Sequence, residues 1–190
     1  MFDAVLRFLA DEVNTFMLRR TGDGELVRMV PSRLVSDTGN PVIADGNLAI
    51  SLFQVEEERA LREPLPERVV VQGRELQRPP PLRLNLVVVV AARILAYDVA
   101  LARLALAVRC FHAKPIHTAA DSPGLPPGLE RLTIEMMPLS LEQMNQLWSC
   151  IGTRQLPSAV YRVRLLELRE DDPLGSGSPI LHIETRVEGR

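Results

Sequence analysis

A chain of 190 residues that are 46% apolar and 24% charged can build one domain around its own core, without metal or disulfide staples. Its formal net charge of −2 supplies no field for gathering nucleic acid or anionic lipid, so neither is an expected partner. Aromatic residues make up only 4%, so aliphatic side chains must fill the interior.

The first element is an N-terminal helix over residues 1–20. Phe2, Val5, Leu6, Leu9, Val13, Phe16 and Met17 recur at steps of three and four and form one apolar stripe. Asp3, Arg7, Asp11 and Glu12 interrupt it too early for a signal peptide. "TGDG" stops the helix and "ELVRMV" follows as a strand. Residues 31–46 carry Pro31, Gly39, Pro41 and Gly46 among Ser, Thr, Asn and Asp, which reads as a long loop with room to move.

"NLAISLFQVEEE" alternates, with Leu48, Ile50 and Leu52 on one face and Ala49, Ser51, Phe53 and Val55 on the other. Both faces are mostly apolar, so the strand is expected to be covered on two sides. The charged, proline-punctuated stretch after it holds a short strand at Val69, Val70 and Val71, read as a hairpin arm. "LRLNLVVVVAARIL" has the composition of a central strand. Asp98 is placed to cap the next helix, whose sequence "VALARLALAVRCFHA" is apolar almost all round. A single chain of this size cannot easily bury such a helix on every side, so part of it is expected to meet another subunit.

"HTAADSPGLPPG" is a loop. "LERLTIEMMPL" is a strand with Leu132, Ile134 and Met136 on one face. Ser140 followed by Gln143 predicts a capping box. Leu141, Met144, Leu147, Trp148 and Ile151 predict the buried stripe of the helix, and Gly152 its left-handed end. "SAVYRVRLLEL" sets Tyr161, Val163 and Leu165 on one face and Arg162 and Arg164 on the other. These local signals agree with one another and predict a rigid β-α-β unit. The expected class is α/β (α+β): a mixed, largely antiparallel sheet packed by two or three helices. Residues 1–170 form one domain in this reading, and residues 171–190 a linker, "EDDPLGSGSP", and a tail, "ILHIETRVEG".

Reactive chemistry is sparse. Cys110 and Cys150 both fall among apolar residues of helices, where reduced, buried thiols are expected. Cys110, His112 and His117 can be drawn as a metal cluster, but a helix puts residues 110 and 112 on different faces and no second ligand pair follows. No phosphate-cradling glycine loop follows a strand, and no G-x-S-x-G is present. In the greasiest stretch, Leu84 to Val108, the longest charge-free run is Leu84 to Ala92, far short of the ~20 residues of a membrane-spanning helix. No catalytic residue, cofactor or metal is therefore assigned. Lys114 is the only lysine; the other basic residues are arginines, a bias that genome base composition alone would produce and that also suits carboxylate contacts between subunits.

Three segments in order carry a resemblance: "NLAISLFQVEEERALRE"; "PPPLRLNLVVVVAARI" with the helix ending "CFHAKPI"; and "PLSLEQMNQLWSCIGTRQLPSAVYRVR". Together they resemble the N-terminal domain of the cap, or tube-terminator, protein of phage-tail-like contractile injection systems. The third is the most specific. The resemblance implies a tail-terminator-like fold and a non-enzymatic assembly protein. It implies a homo-oligomeric, hexameric ring that caps the distal end of the inner tube and anchors the sheath. The expected partners are then the inner-tube and sheath proteins, with assembly in the cytoplasm and later release in a tail-like particle. A phage neck or head-completion component is the first alternative, and a small α/β enzyme with a cryptic carboxylate site the second. From the residue pattern alone, Arg59, Arg62, Val69, Val70, Val71, Arg162 and Arg164 are the candidate interface residues.

Overall fold

The long helices and strands follow apolar periodicities in the sequence, and the sheet is assembled mainly from the longest strands. The computed structural model describes residues 1–22, 28–36, 38–43, 46–58, 67–71, 74–78 and 82–167. Helix α1 (Phe2–Thr21) is followed by β1 (Met29–Pro31), β2 (Asn47–Glu57), β3 (Glu67–Val71), β4 (Arg74–Arg78) and β5 (Arg83–Arg93). Then come α2 (Tyr97–Ala113), β6 (Ile116–Thr118), β7 (Leu129–Met136), α3 (Leu141–Ile151) and β8 (Ser158–Glu167).

Six strands form one sheet in the order β1-β2-β5-β8-β7-β6, antiparallel except for the β1–β2 pair. Strands β3 and β4 pair separately as an antiparallel hairpin. The class is the expected mixed, largely antiparallel α/β. Central β5 is buried on both faces from Leu86 to Ala92, because helices cover both sides. Helices α1 and α2 pack on one face over Leu48, Ile50, Leu86, Val88, Tyr161 and Val163. Helix α3 packs on the other over Ala49, Val87, Val89, Ala91 and Val160. Strand β8, the last of the described chain, lies between β5 and β7. The 129–167 unit is therefore an antiparallel strand pair whose connection folds up as a helix.

Several expectations change at this level. Among the described residues the strand expected at "ELVRMV" is Met29–Pro31; residues 25–27 lie outside them. The 31–46 segment is anchored: Leu34 and Ile43 are buried beneath it with α3, and Val35 bridges Pro41. Its apolar residues sink into the second core, which its turn-rich composition concealed. Asp98 is no cap. Ala96 is the N-cap residue, with no side-chain cap bond, and Asp98 lies inside the first turn. There its carboxylate acts only through the positive end of the helix dipole. A bulge at Phe53 shifts the β2–β5 register between Leu52 and Gln54. The extra residue flips the remainder of the strand, so Val55 opposes Leu86 on the α1–α2 face, not the face of Ala49. The loop reading of 117–128 missed β6, a three-residue edge strand. The 171–190 linker and tail lie outside the described residues.

Candidate interface on the open half of the sheet

Helix α3 is built as its sequence requires. The Ser140 hydroxyl accepts from the Gln143 amide at 3.2 Å while the Gln143 side chain accepts from the Ser140 amide at 2.9 Å. Gly152 closes the helix at φ 79°, a left-handed conformation costly for any residue with a Cβ. Leu147 and Trp148 are buried against the sheet, and Met144 and Ile151 pack at their edges. Leu141 belongs to the same spacing but is 92% exposed, because the first turn projects beyond the sheet. Cys150, expected in the interior, is exposed. Cys110 is buried, its thiol 3.7 Å from the Glu12 carbonyl. Burial, reinforced by the Glu12 carboxylate, pushes that thiol up to about 11.

Because α3 is only 11 residues long, it covers about half of its face. The other half is open. Arg162 and Arg164 alternate outward from β8 as expected, opposite Glu135 and Thr133 of β7. Arg164 Nη2 lies 2.8 Å from Glu135 Oε2, both side chains about half exposed. Asn85 is buried and donates to Glu58 Oε2 at 2.9 Å. A depression of about 350 Å³ runs among these groups, with Arg83 and Arg131 on its walls. The Arg162 Nε and the Trp148 indole N–H are buried without an acceptor among the described residues. Such donors cost about 1–3 kcal/mol each, a cost that a contact drawing the guanidinium outward would remove. Sequence reasoning found Arg162 and Arg164 but missed Glu135 and Asn85. The one available signal for Asn85 was an amide inside an otherwise apolar strand.

The remaining candidates scatter. Arg59 and Arg62 lie outside the described residues. Val69, Val70 and Val71 belong to β3, paired in register with Leu76, Glu75 and Arg74 of β4. Cys110, His112 and His117 do not converge: Cys110 faces α1, His112 is exposed and His117 is buried edge-on against Phe8. Among the described residues no three histidine, cysteine or carboxylate groups could hold a metal.

One cluster imitates a catalytic triad. Ser122 Oγ lies 3.0 Å from His117 Nδ1, accepts from Lys114 Nζ at 2.7 Å and donates to Asp121 Oδ1 at 2.7 Å. A serine nucleophile gives its proton to the imidazole. Here the proton is held by a carboxylate, and the hydroxyl is buried. The Ser122 hydroxyl and the Thr118 amide hold Asp121 well below the usual carboxylate range. Burial, and then the Lys114 cation, lower the His117 imidazole below its ordinary value. The cluster clasps the turn after β6 to the end of α2.

Residues 4–182 match the Pvc16 N-terminal domain family. The chain belongs to that family. Its fold is also that of solved terminators. A cryo-EM structure of the sheath/tube terminator of an extracellular contractile injection system, PVC, in the extended state is similar over 95% of this chain and 63% of that one, at TM-score 0.56 and 16% identity. The tube-terminating cap of the anti-feeding prophage is similar over 93% of this chain and 59% of that one, at TM-score 0.55 and 16% identity. The chain thus spans about three-fifths of either solved chain. None of the curated proteins matches it. No described helix is long and apolar enough to cross a membrane.

Proposed function

We propose that this Pvc16-family domain is a structural cap. It seats on the distal end of the inner tube of a contractile injection particle, anchors the end of the sheath and forms a six-membered ring. The observation that carries the reading is the open, mixed-charge half of the sheet beside a rigidly capped α3, in a chain of this family. A growing tube ends in unpaired backbone and complementary side chains. A terminator has to cover that layer without presenting a copy of it on its far side. Arginine–carboxylate contacts and strand edges do this without catalysis. Arg162 and Arg164 are proposed to contact the tube or sheath layer, with Arg59, Arg62 and the β3 arm at Val69–Val71 as further contacts. The domain then acts in the producing cell as the particle forms and leaves with it, and no enzymatic step is involved.

Electron microscopy of particles made without this protein tests the reading. Tubes of uncontrolled length or sheaths that slip are expected. Particles of normal form and length would rule it out.

A further inference from the structure

Arginines surround the end of β8. Leu166 lies opposite Arg83 of β5 on one side and Arg131 of β7 on the other. Residues directly opposed in this way share a face, with Cβ atoms about 4.5–5.5 Å apart. Arg164 precedes Leu166 by two residues and so points to the same side. All three arginines line the depression of about 350 Å³ on the open half of the sheet, with two carboxylates, Glu58 and Glu135. Both carboxylates are engaged, Glu135 by Arg164 at 2.8 Å and Glu58 by the buried Asn85 at 2.9 Å. Arg131 is exposed and has neither a hydrogen bond nor an ion pair among the described residues. The depression thus holds three arginines against two carboxylates, and the fork of Arg131 is open to a further one.

The chain leaves β8 at Glu167, in the midst of these arginines. After Leu168 and Arg169 it reads Glu170, Asp171, Asp172, three carboxylates in succession. Asp172 is at most ~17 Å of extended chain beyond Glu167. Arg83 and Arg131 each belong to a strand next to β8, a spacing of about 4.8 Å. A tether this short holds the acids at an effective concentration of about millimolar, an advantage that an acidic segment of a separate partner lacks.

We infer that the acidic segment Glu170–Asp172 docks in this depression of its own chain, with a carboxylate on the Arg131 fork. The contact fixes the point from which the C-terminal tail departs. It stands whether or not the domain caps a tube. It also leaves the floor around Arg162 open to a partner, since Arg162 pairs with Val87 beneath α3 and not with the arginines at the strand end.

Disulfide trapping in the full-length chain tests the contact. In protein with the exposed Cys150 replaced by serine, Thr133→Cys puts a thiol on the wall of the depression. Leu174→Cys puts a second just past the acids, which stay intact. Mild oxidation should close an internal disulfide within the monomer. Because charge drives the docking, three changes should each slow that closure about fivefold or more. They are Arg131→Glu, the combined change Glu170→Gln, Asp171→Asn and Asp172→Asn, and roughly 1 M salt, which shortens the screening length to about 3 Å. Melting curves of the reduced variants should match the parent, since Arg131 has no contact of this kind to lose. A closure rate indifferent to any of the three changes would mean that the thiols meet by random motion of a tether, and would overturn the docking. A disulfide joining two chains would put the segment on a second copy, and no disulfide would put it elsewhere; either overturns the contact as well. None of these readouts involves particle length, so the contact and the cap can fail independently.

Discussion

Cys110 and Tyr161 set an alkaline limit on this fold. Both lie in the core, Cys110 on α2 and Tyr161 on β8, and the Tyr161 ring meets Phe111 edge-on at 5.0 Å. Burial pushes the Cys110 thiol up to about 11 from 9.0. Burial, then the charge of Cys110, also raises the Tyr161 hydroxyl. A raised folded value means that the native state keeps a proton which the unfolded chain gives up. The stabilisation is therefore complete below the unfolded value and lost as pH climbs through the folded one. Denaturant midpoints should fall between pH 9 and about 11, and Cys110→Ala should flatten that fall, measured as the pH slope of the midpoint. At neutral pH a thiol reagent should label Cys150 in the native protein and reach Cys110 only on unfolding. Tyr161 has a second consequence. Its hydroxyl is buried without a partner among the described residues, so removing it forfeits no hydrogen bond. Tyr161→Phe should leave the melting temperature unchanged or raise it. A drop of several degrees would mean that the hydroxyl is satisfied.

Helix α3 is the element whose energetics separate most cleanly by position. Ser140→Ala removes one half of the capping box and should cost about 1 kcal/mol. Leu147→Ala opens a hole against Val87 and Val160 and should cost about 2–5 kcal/mol. Leu141→Lys, at the exposed first turn, should change stability by no more than about 0.5 kcal/mol. Urea melts of the three variants check the ordering. Leu141 also shows what spacing alone can and cannot give. The period of 3.6 puts Leu141 and Leu147 on one stripe, but the period does not know where the sheet ends. The capping box and glycine end of α3 and the side-chain alternation of β8 were legible because each is fixed by neighbours a few residues apart. The bulge at Phe53 was not, since it depends on how β2 sits against β5. The same holds for the anchoring of Leu34 and Ile43, which takes place across the sheet from any local signal. The open charged floor was half legible. Arg162 and Arg164 declare themselves by alternating with apolar residues, whereas Glu135 becomes part of the site only through β7–β8 pairing.

At the scale of the whole molecule, the question is whether that floor exists for the chain or for its partner. The Arg164–Glu135 pair bridges neighbouring strands in water on both sides, and such pairs contribute about 0–1 kcal/mol. A purely internal role can therefore be separated from recognition by exchanging the partners. Arg164→Glu alone should barely change the melting temperature yet produce particles with overlong tubes, because a like charge now faces the layer that the arginine met. Adding Glu135→Arg restores the pair within the chain but leaves its two charges reversed on the surface. If the pair serves only the fold, the double variant recovers everything the single variant lost. If the face reads the end of the tube or sheath, stability returns while tube length stays uncontrolled, since an interface reads the position of each charge and not merely their sum. Tube-length distributions from electron microscopy, set beside melting curves of the same two proteins, distinguish the outcomes. Full recovery of both in the double variant would move the contact away from Arg164.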